Sequence, residues 1–234
     1  MLGKLHYNNR EEQLACMKKM KPIKVYLEGR EGTLRTMGFP LESREVAVPS
    51  GTKVGKLHDY FIKDVHTAMF SGRMRFIFNG EGNGAYIAGR MATDVSPYLY
   101  TLSCVDAVIA IERLEEARRQ EQHKGNFSFS PAVSQSNFDF MTCDFLTLTG
   151  FENLEGLRDN KVSTLMSFIN ERVMCGVSKP TIIVSLGSKD GKPNMPNSIL
   201  TRLTAMDFVP VHIDSSVSGV RLNSKTISNP FADL

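Results

Sequence analysis

The chain has 234 residues, 41% of them apolar and 23% charged, and a formal net charge of +3. That length and balance suit a soluble globular protein with a sizeable core, either one large domain or a core with a small appendage. The charge selects no partner by itself: it neither excludes nucleic acid nor announces it.

The four cysteines, Cys16, Cys104, Cys143 and Cys175, form no C-x-x-C pair, and the five histidines fall into no metal-ligand spacing. No metal is therefore expected. The sequence shows neither a signal peptide nor an apolar run long enough to span a bilayer. A cytoplasmic, reducing setting without membrane contact is the expectation, with the thiols acting as small apolar side chains.

In chain order, a helical pattern runs from about Arg10 to Met20 and stops at Pro22, with Lys18, Lys19 and Lys21 where cations suit a helix C-terminus. Residues 23–28 and 44–48 read as strands around a segment rich in glycine and proline. Together they make a small N-terminal α+β unit, residues 1–50. Pro49-Ser50-Gly51 marks the boundary of a core, residues 51–223, that opens on one amphipathic helix with Val54, Leu57, Phe61, Val65 and Met69 on a face. Residues 224–234 are a polar tail.

Phe76-Ile77-Phe78 reads as a short buried strand that breaks into Asn79-Gly80-Glu81-Gly82-Asn83-Gly84 before the helix-compatible Tyr86-Ile87-Ala88. Strand, glycine-rich turn and helix is the arrangement that brings backbone N–H groups to an anion at a helix N-terminus. A working phosphate loop also needs a lysine on the phosphates and a Ser or Thr hydroxyl on Mg²⁺. Ala85 and Tyr86 stand in those places, and no lysine occurs between Lys63 and Lys124, although Arg73, Arg75 and Arg90 keep the region basic. The stretch has the form of a phosphate loop without its chemistry.

Beyond it the elements alternate. Residues 98–102 read as a strand, and Asp106 caps a helix to about Gln122 whose charge run, Glu112 to Arg119, is a solvated face. A polar loop, Lys124 to Ser136, carries Phe127 and Phe129. A buried strand is expected within Phe138 to Leu148, a helix from about Arg158 to Met174, and a parallel-type strand at Thr181 to Val184. A short helix near Ile199 to Met206 and a strand at Phe208 to Ile213 follow. Strands alternating with helices imply an α/β fold, a parallel sheet covered on both faces.

The order of five segments between residues 54 and 222 resembles the AAA+ core of bacterial helicase loaders (DnaC/DnaI-like) and of their transposition relatives (IstB-like). FIFNGEGNGAYIAGRMA is similar to the family's first strand, phosphate loop and helix, and YLYTLSCVDAVIAIERLEEARR to its second strand and helix. CDFLTLTGFENL falls at the Walker B strand, KPTIIVSLGS resembles the sensor strand, and SILTRLTAMDFVPVHI resembles the arginine-bearing helix and final strand.

The resemblance implies a P-loop (AAA+-like) core. It assigns a degenerate nucleotide-binding role to Gly80, Gly82, Asn83, Gly84, Ala85 and Tyr86, a sensor-like place to Ser185 and an arginine-finger-like place to Arg202. The departures matter as much. Thr149 and Gly150 occupy the paired acidic positions of Walker B, Ser198 replaces a second arginine, Ser188 keeps a polar side chain, and Arg221 lies near a further family arginine. Mg²⁺ then lacks its carboxylate and hydrolysis its water-orienting acid. Glu152 reads as a surface loop carboxylate.

The expectation is a pseudo-ATPase with no catalytic residues and no cofactor. It would be an adaptor in DNA replication, or in a mobile element or phage, that binds a replicative helicase or a related AAA+ ATPase within a homo- or hetero-oligomer and touches DNA weakly. The alternatives are a switch that holds ATP or ADP without turnover, and an active loader or transposition ATPase with unusual site residues.

Overall fold

The computed structural model describes residues 37–40, 43, 46–48, 50–80, 84–98, 100–123, 139–174, 179–187 and 191–213. The helix and first strand expected in residues 1–36, the loop at 124–136 and the tail lie outside them, as do Gly82, Asn83, Ser188 and Arg221.

Thr52 opens the first helix, α1 (Lys53–Lys63), by accepting the Gly55 N–H at 2.9 Å. The single amphipathic helix expected here is two. The chain breaks at Asp64, φ −149°, whose carboxylate accepts the Thr67 N–H at 3.0 Å and starts α2 (Val65–Phe70). Val54, Phe61, Val65 and Met69 are buried across the break, so the apolar period runs through a capping residue that periodicity does not see.

Strand β1 (Arg75–Gly80) leads into α3 (Gly84–Val95). The strand expected at 98–102 is displaced to β2 (Leu102–Asp106), and Ser96–Tyr98 forms a short 3-10 helix. Tyr98 and Tyr100 are held by His66 instead: the Tyr98 ring meets it edge-on with centroids 4.7 Å apart, and the Tyr100 hydroxyl lies 2.9 Å from Nδ1. Helix α4 (Ala107–His123) follows as expected. Where one strand is expected from Phe138 to Leu148, a short helix α5 (Asp139–Thr142) precedes β3 (Phe145–Thr149). The carbonyls at that junction are claimed by side chains: Arg172 Nη1 donates to Cys143 O at 2.8 Å and Lys179 Nζ to Thr142 O at 2.7 Å. Then come the 3-10 helix Phe151–Leu154, α6 (Asp159–Met174), β4 (Thr181–Leu186), α7 (Asn197–Ala205) and β5 (Val209–Ile213). Val46–Val48, within the expected strand 44–48, has no regular structure; Val46 N instead closes a turn onto Ser43 O at 3.4 Å.

The five strands lie in the order β2-β3-β4-β1-β5, and every pairing is parallel. Parallel strands need crossover helices, and those helices cover both faces. On one face Phe78, Ile182, Val184 and Val211 pack with α1, α2 and α3 through Phe61, Met69, Ile87 and Met91. On the other, Ile77, Leu146, Leu148 and Ile183 pack with α4, α6 and α7 through Ile111, Leu165, Ile169 and Leu203. The architecture is an α/β core, a parallel sheet covered by helices on both faces. Val46 and Phe39 join the first of these clusters, and Met37 O accepts the Cys104 N–H of β2 at 2.7 Å.

Arg172 ties the N-terminal ends of β3 and β4 to α6. It is 7% exposed and donates to Thr181 Oγ1, Cys143 O, Asp144 O and Pro180 O at 2.8–3.3 Å. Burial pulls its pKa down, while Cys143 and Asp144 favour the charge. Among the described residues no helix is long and apolar enough to cross a membrane.

Candidate functional site

The glycine-rich turn joins the C-terminal end of β1 to the N-terminus of α3, at the carboxyl edge of the sheet where open α/β sheets hold ligands. Its two described glycines are pinned. A Cβ on Gly80 would collide with the Ile213 carbonyl of β5, and Gly187, just past β4, donates its N–H to Gly80 O at 2.9 Å. A Cβ on Gly84 would stand 2.7 Å from Val184 Cγ1 and 3.2 Å from Phe78 Cβ. The helix start is thus laid directly on β1 and β4, with no acidic residue in its first turn. A helix N-terminus in that setting has backbone N–H groups and dipole left for an anion.

The side chains that would do chemistry there have gone to packing. Ala85 and Tyr86 are half-buried and pack against the core on the α3 face. Neither offers an ammonium, and the Tyr86 ring takes the place of a short hydroxyl.

At the end of β3, Thr149 is half-buried and Gly150 adopts a left-handed conformation, φ 74°. A Cβ on Gly150 would run into the Asp106 carboxylate of β2, so an acidic residue at 150 is excluded by the acid already beside it. Asp106 Oδ1 accepts the Val108 N–H at 2.9 Å, which makes Asp106 both the last residue of β2 and the cap of α4. Glu152 is half-buried rather than a free surface carboxylate: Oε2 accepts the Leu186 N–H at the end of β4 at 3.3 Å. Two carboxylates thus border the end of β3, from positions that a motif spacing does not address.

Ser185 sits beside the turn, paired in register with Asn79. It is 3% exposed and its hydroxyl donates to Asn194 O at 2.9 Å, so it is satisfied internally. Arg202 lies in the last turn of α7, exposed, and its side chain meets no hydrogen-bond or ion-pair partner among the described residues.

Asn79 is the residue that sequence reasoning missed. It lies fully buried in β1, donating Nδ2 to Gly191 O at 2.6 Å, while Oδ1 has no partner among the described residues. Its signal was faint: an amide ending an apolar run, read there as the start of the turn.

A separate cavity of about 680 Å³ opens along β2, lined by Met37, Cys104, Asp106, Ile109, Arg113 and Phe140 among others. Burial, reinforced by Asp106, pushes the Cys104 thiol up to about 12. No group of three His, Cys, Asp or Glu side chains is placed to hold a metal among the described residues.

No protein-family model and no curated protein sequence matches the chain. Among solved structures, it is similar at 13% identity to a DNA replication initiation factor, with TM-score 0.46 over 75% of this chain and 50% of that one. AMPPCP-bound DnaA from Aquifex aeolicus gives 13% identity and TM-score 0.46 over 73% of this chain and 50% of that one. Domain III of the Thermotoga maritima replication initiation protein DnaA gives 12% and 0.45, over 74% and 68%. The chain spans about half the length of the first two.

Proposed function

We propose that the chain is a catalytically degenerate AAA+-like adaptor in DNA replication, or in a mobile element or phage, that works by binding a replicative helicase or a related AAA+ ATPase. The observation that supports this reading most is the contrast at the turn: Gly80, Gly84 and Gly187 keep the close backbone packing of a phosphate loop, while Ala85 and Tyr86 are packed into the core. In this reading residues 1–50 recruit the partner, the core sets geometry, and Arg202 faces a neighbouring subunit. Assembly lacking a hydrolysis step responds to partner concentration rather than to ATP.

Titration of the pure protein with labelled ATP and Mg²⁺, with phosphate release followed in parallel, is the deciding experiment. No turnover above a buffer blank is expected. Turnover that disappears on Glu152→Gln or Arg202→Ala would overturn the reading. Cross-linking of the full chain to a purified helicase tests the recruiting role, with cross-links expected within residues 1–50.

One feature favours a second reading, a switch that holds ATP or ADP without turnover. The N-terminus of α3 carries no acidic residue in its first turn, so no carboxylate there repels a phosphate from the positive end of the helix dipole. Saturable ATP binding without phosphate release would select that reading.

A further inference from the structure

The cavity along β2 is walled by that strand, α4 and α5, and β3 and β4 separate it from β1 and the glycine turn. Its volume, about 680 Å³, is that of a small-molecule site. Met37, Val105, Ile109 and Phe140 give it apolar walls. Two polar side chains on the lining are left unmated. Ser103 is 9% exposed, and its hydroxyl meets no hydrogen-bond partner among the described residues. A hydroxyl so buried ordinarily has one. Arg113, half-buried on α4, is the only cation on the described lining and makes no hydrogen bond or ion pair among the described residues. The two lie level with each other. Helix α4 returns antiparallel to β2, as a crossover between parallel strands requires, so Ser103 is roughly 10 Å back along the strand from Asp106 and Arg113 roughly 10 Å back along the helix. Asp106, the one carboxylate on the described lining, is committed elsewhere: Oδ1 takes the Val108 N–H, and Oδ2 lies where a Gly150 Cβ would stand. One uncompensated positive charge and one free hydroxyl thus share an apolar chamber.

We propose that this cavity binds a small organic carboxylate with an apolar body, its carboxylate held by the Arg113 guanidinium and the Ser103 hydroxyl and its body lying against Val105, Ile109 and Phe140. A guanidinium offers paired N–H donors that match the two oxygens of a carboxylate, and the hydroxyl donates one bond more. One cation suits a monoanion. A triphosphate would bring several charges into a chamber with a single group to meet them, and inorganic phosphate would satisfy the guanidinium but leave the apolar wall wet. The body of the ligand therefore matters as much as its charge. Because the cavity stands apart from the glycine turn, it operates whether or not a nucleotide binds there.

Fluorine NMR titration of the full-length protein with para-fluorobenzoate tests this, with para-fluorobenzamide as its neutral counterpart and inorganic phosphate as competitor. The benzoate should bind saturably with a Kd of roughly 0.2–5 mM, the range for a ligand of about ten heavy atoms. The amide should bind at least ~10-fold more weakly, and Arg113→Met should weaken the benzoate by roughly 10- to 150-fold, since both changes remove a hydrogen bond between charged groups. Ser103→Ala should weaken it roughly 2- to 12-fold without lowering the melting temperature, because the native hydroxyl has no partner to lose. On titration the Met37 methyl signal, assigned through Met37→Leu, should shift, which places the ligand in this cavity. No saturable binding up to ~20 mM, equal binding of benzoate and amide, an Arg113→Met variant that binds as the native chain does, a Met37 signal that stays in place, or displacement by an equimolar amount of phosphate would overturn the proposal.

Discussion

Gly84→Ala isolates the tightest packing in the site. The added methyl would meet Val184 Cγ1 at 2.7 Å and Phe78 Cβ at 3.2 Å, and Gly84 has no left-handed φ, so contact alone sets the cost. Neither neighbour yields easily. Val184 is β-branched with a stiff χ1, and the Phe78 Cβ is fixed to the backbone of a central strand. Overpacking of this kind costs about 1–3 kcal/mol. Alanine in place of glycine returns up to about 1 kcal/mol inside a helix and less at its first residue. The clash wins, leaving a net loss of about 1–2 kcal/mol, or roughly 2–8 °C in melting temperature for a chain of this size. Urea and thermal melts of Gly84→Ala, Val184→Ala and the double variant measure it. On the Val184→Ala background the worse of the two contacts is gone and only the 3.2 Å approach to Phe78 Cβ remains, so Gly84→Ala should cost markedly less, with a coupling energy of about 1 kcal/mol. An identical cost on both backgrounds would refute the packing account and return the glycine to a role in backbone freedom or ligand approach.

Arg172→Met keeps the length of the side chain but removes the donors to Thr181, Cys143, Asp144 and Pro180. A loss of about 3 kcal/mol in urea denaturation is expected, and an unchanged midpoint would show that the buried charge costs as much as its hydrogen bonds contribute. Burial pushes the Cys143 thiol from 9.0 up to about 11, Arg172 and Lys179 pulling the other way. Because the folded chain holds that proton more tightly, the contribution is full below pH 9.0 and is lost as pH rises through about 11; urea midpoints should fall over that window, and less in Cys143→Ala. Asp64→Ala removes the cap of α2 and should cost about 1 kcal/mol, read as a drop in melting temperature with the urea slope unchanged.

The sheet was legible because parallel strands buried on both faces write themselves as apolar runs, and Thr181 to Val184 or Phe76 to Phe78 could be little else. Errors fell where side chains take over the work of backbone pairing. Asp64 caps a helix inside an unbroken apolar period, His66 holds the tyrosines before β2, and Arg172 gathers the carbonyls that a strand from Phe138 would have used. The turn between Gly80 and Gly84 was visible as composition, and β1 and α3 flank it as expected. The carboxylates at the end of β3 were not: Asp106 reaches it from the neighbouring strand, and Glu152 reaches β4 from a 3-10 helix. Such placements depend on long-range register, which local spacing does not carry.

An open parallel sheet ends in two rows of unsated backbone groups, and the ends of this one are β2 and β5. Met37 occupies the middle of the first, admitted only because the next residue is Gly38, at φ 87° and so close to the Cys104 carbonyl that no Cβ would fit. The second carries Pro210, which has no N–H to offer a newcomer. Among the described residues strand addition is therefore hindered at both edges of the sheet. Gly38→Val would lift the guard from β2, and the cost should surface as concentration-dependent aggregation by light scattering, out of proportion to any change in melting temperature.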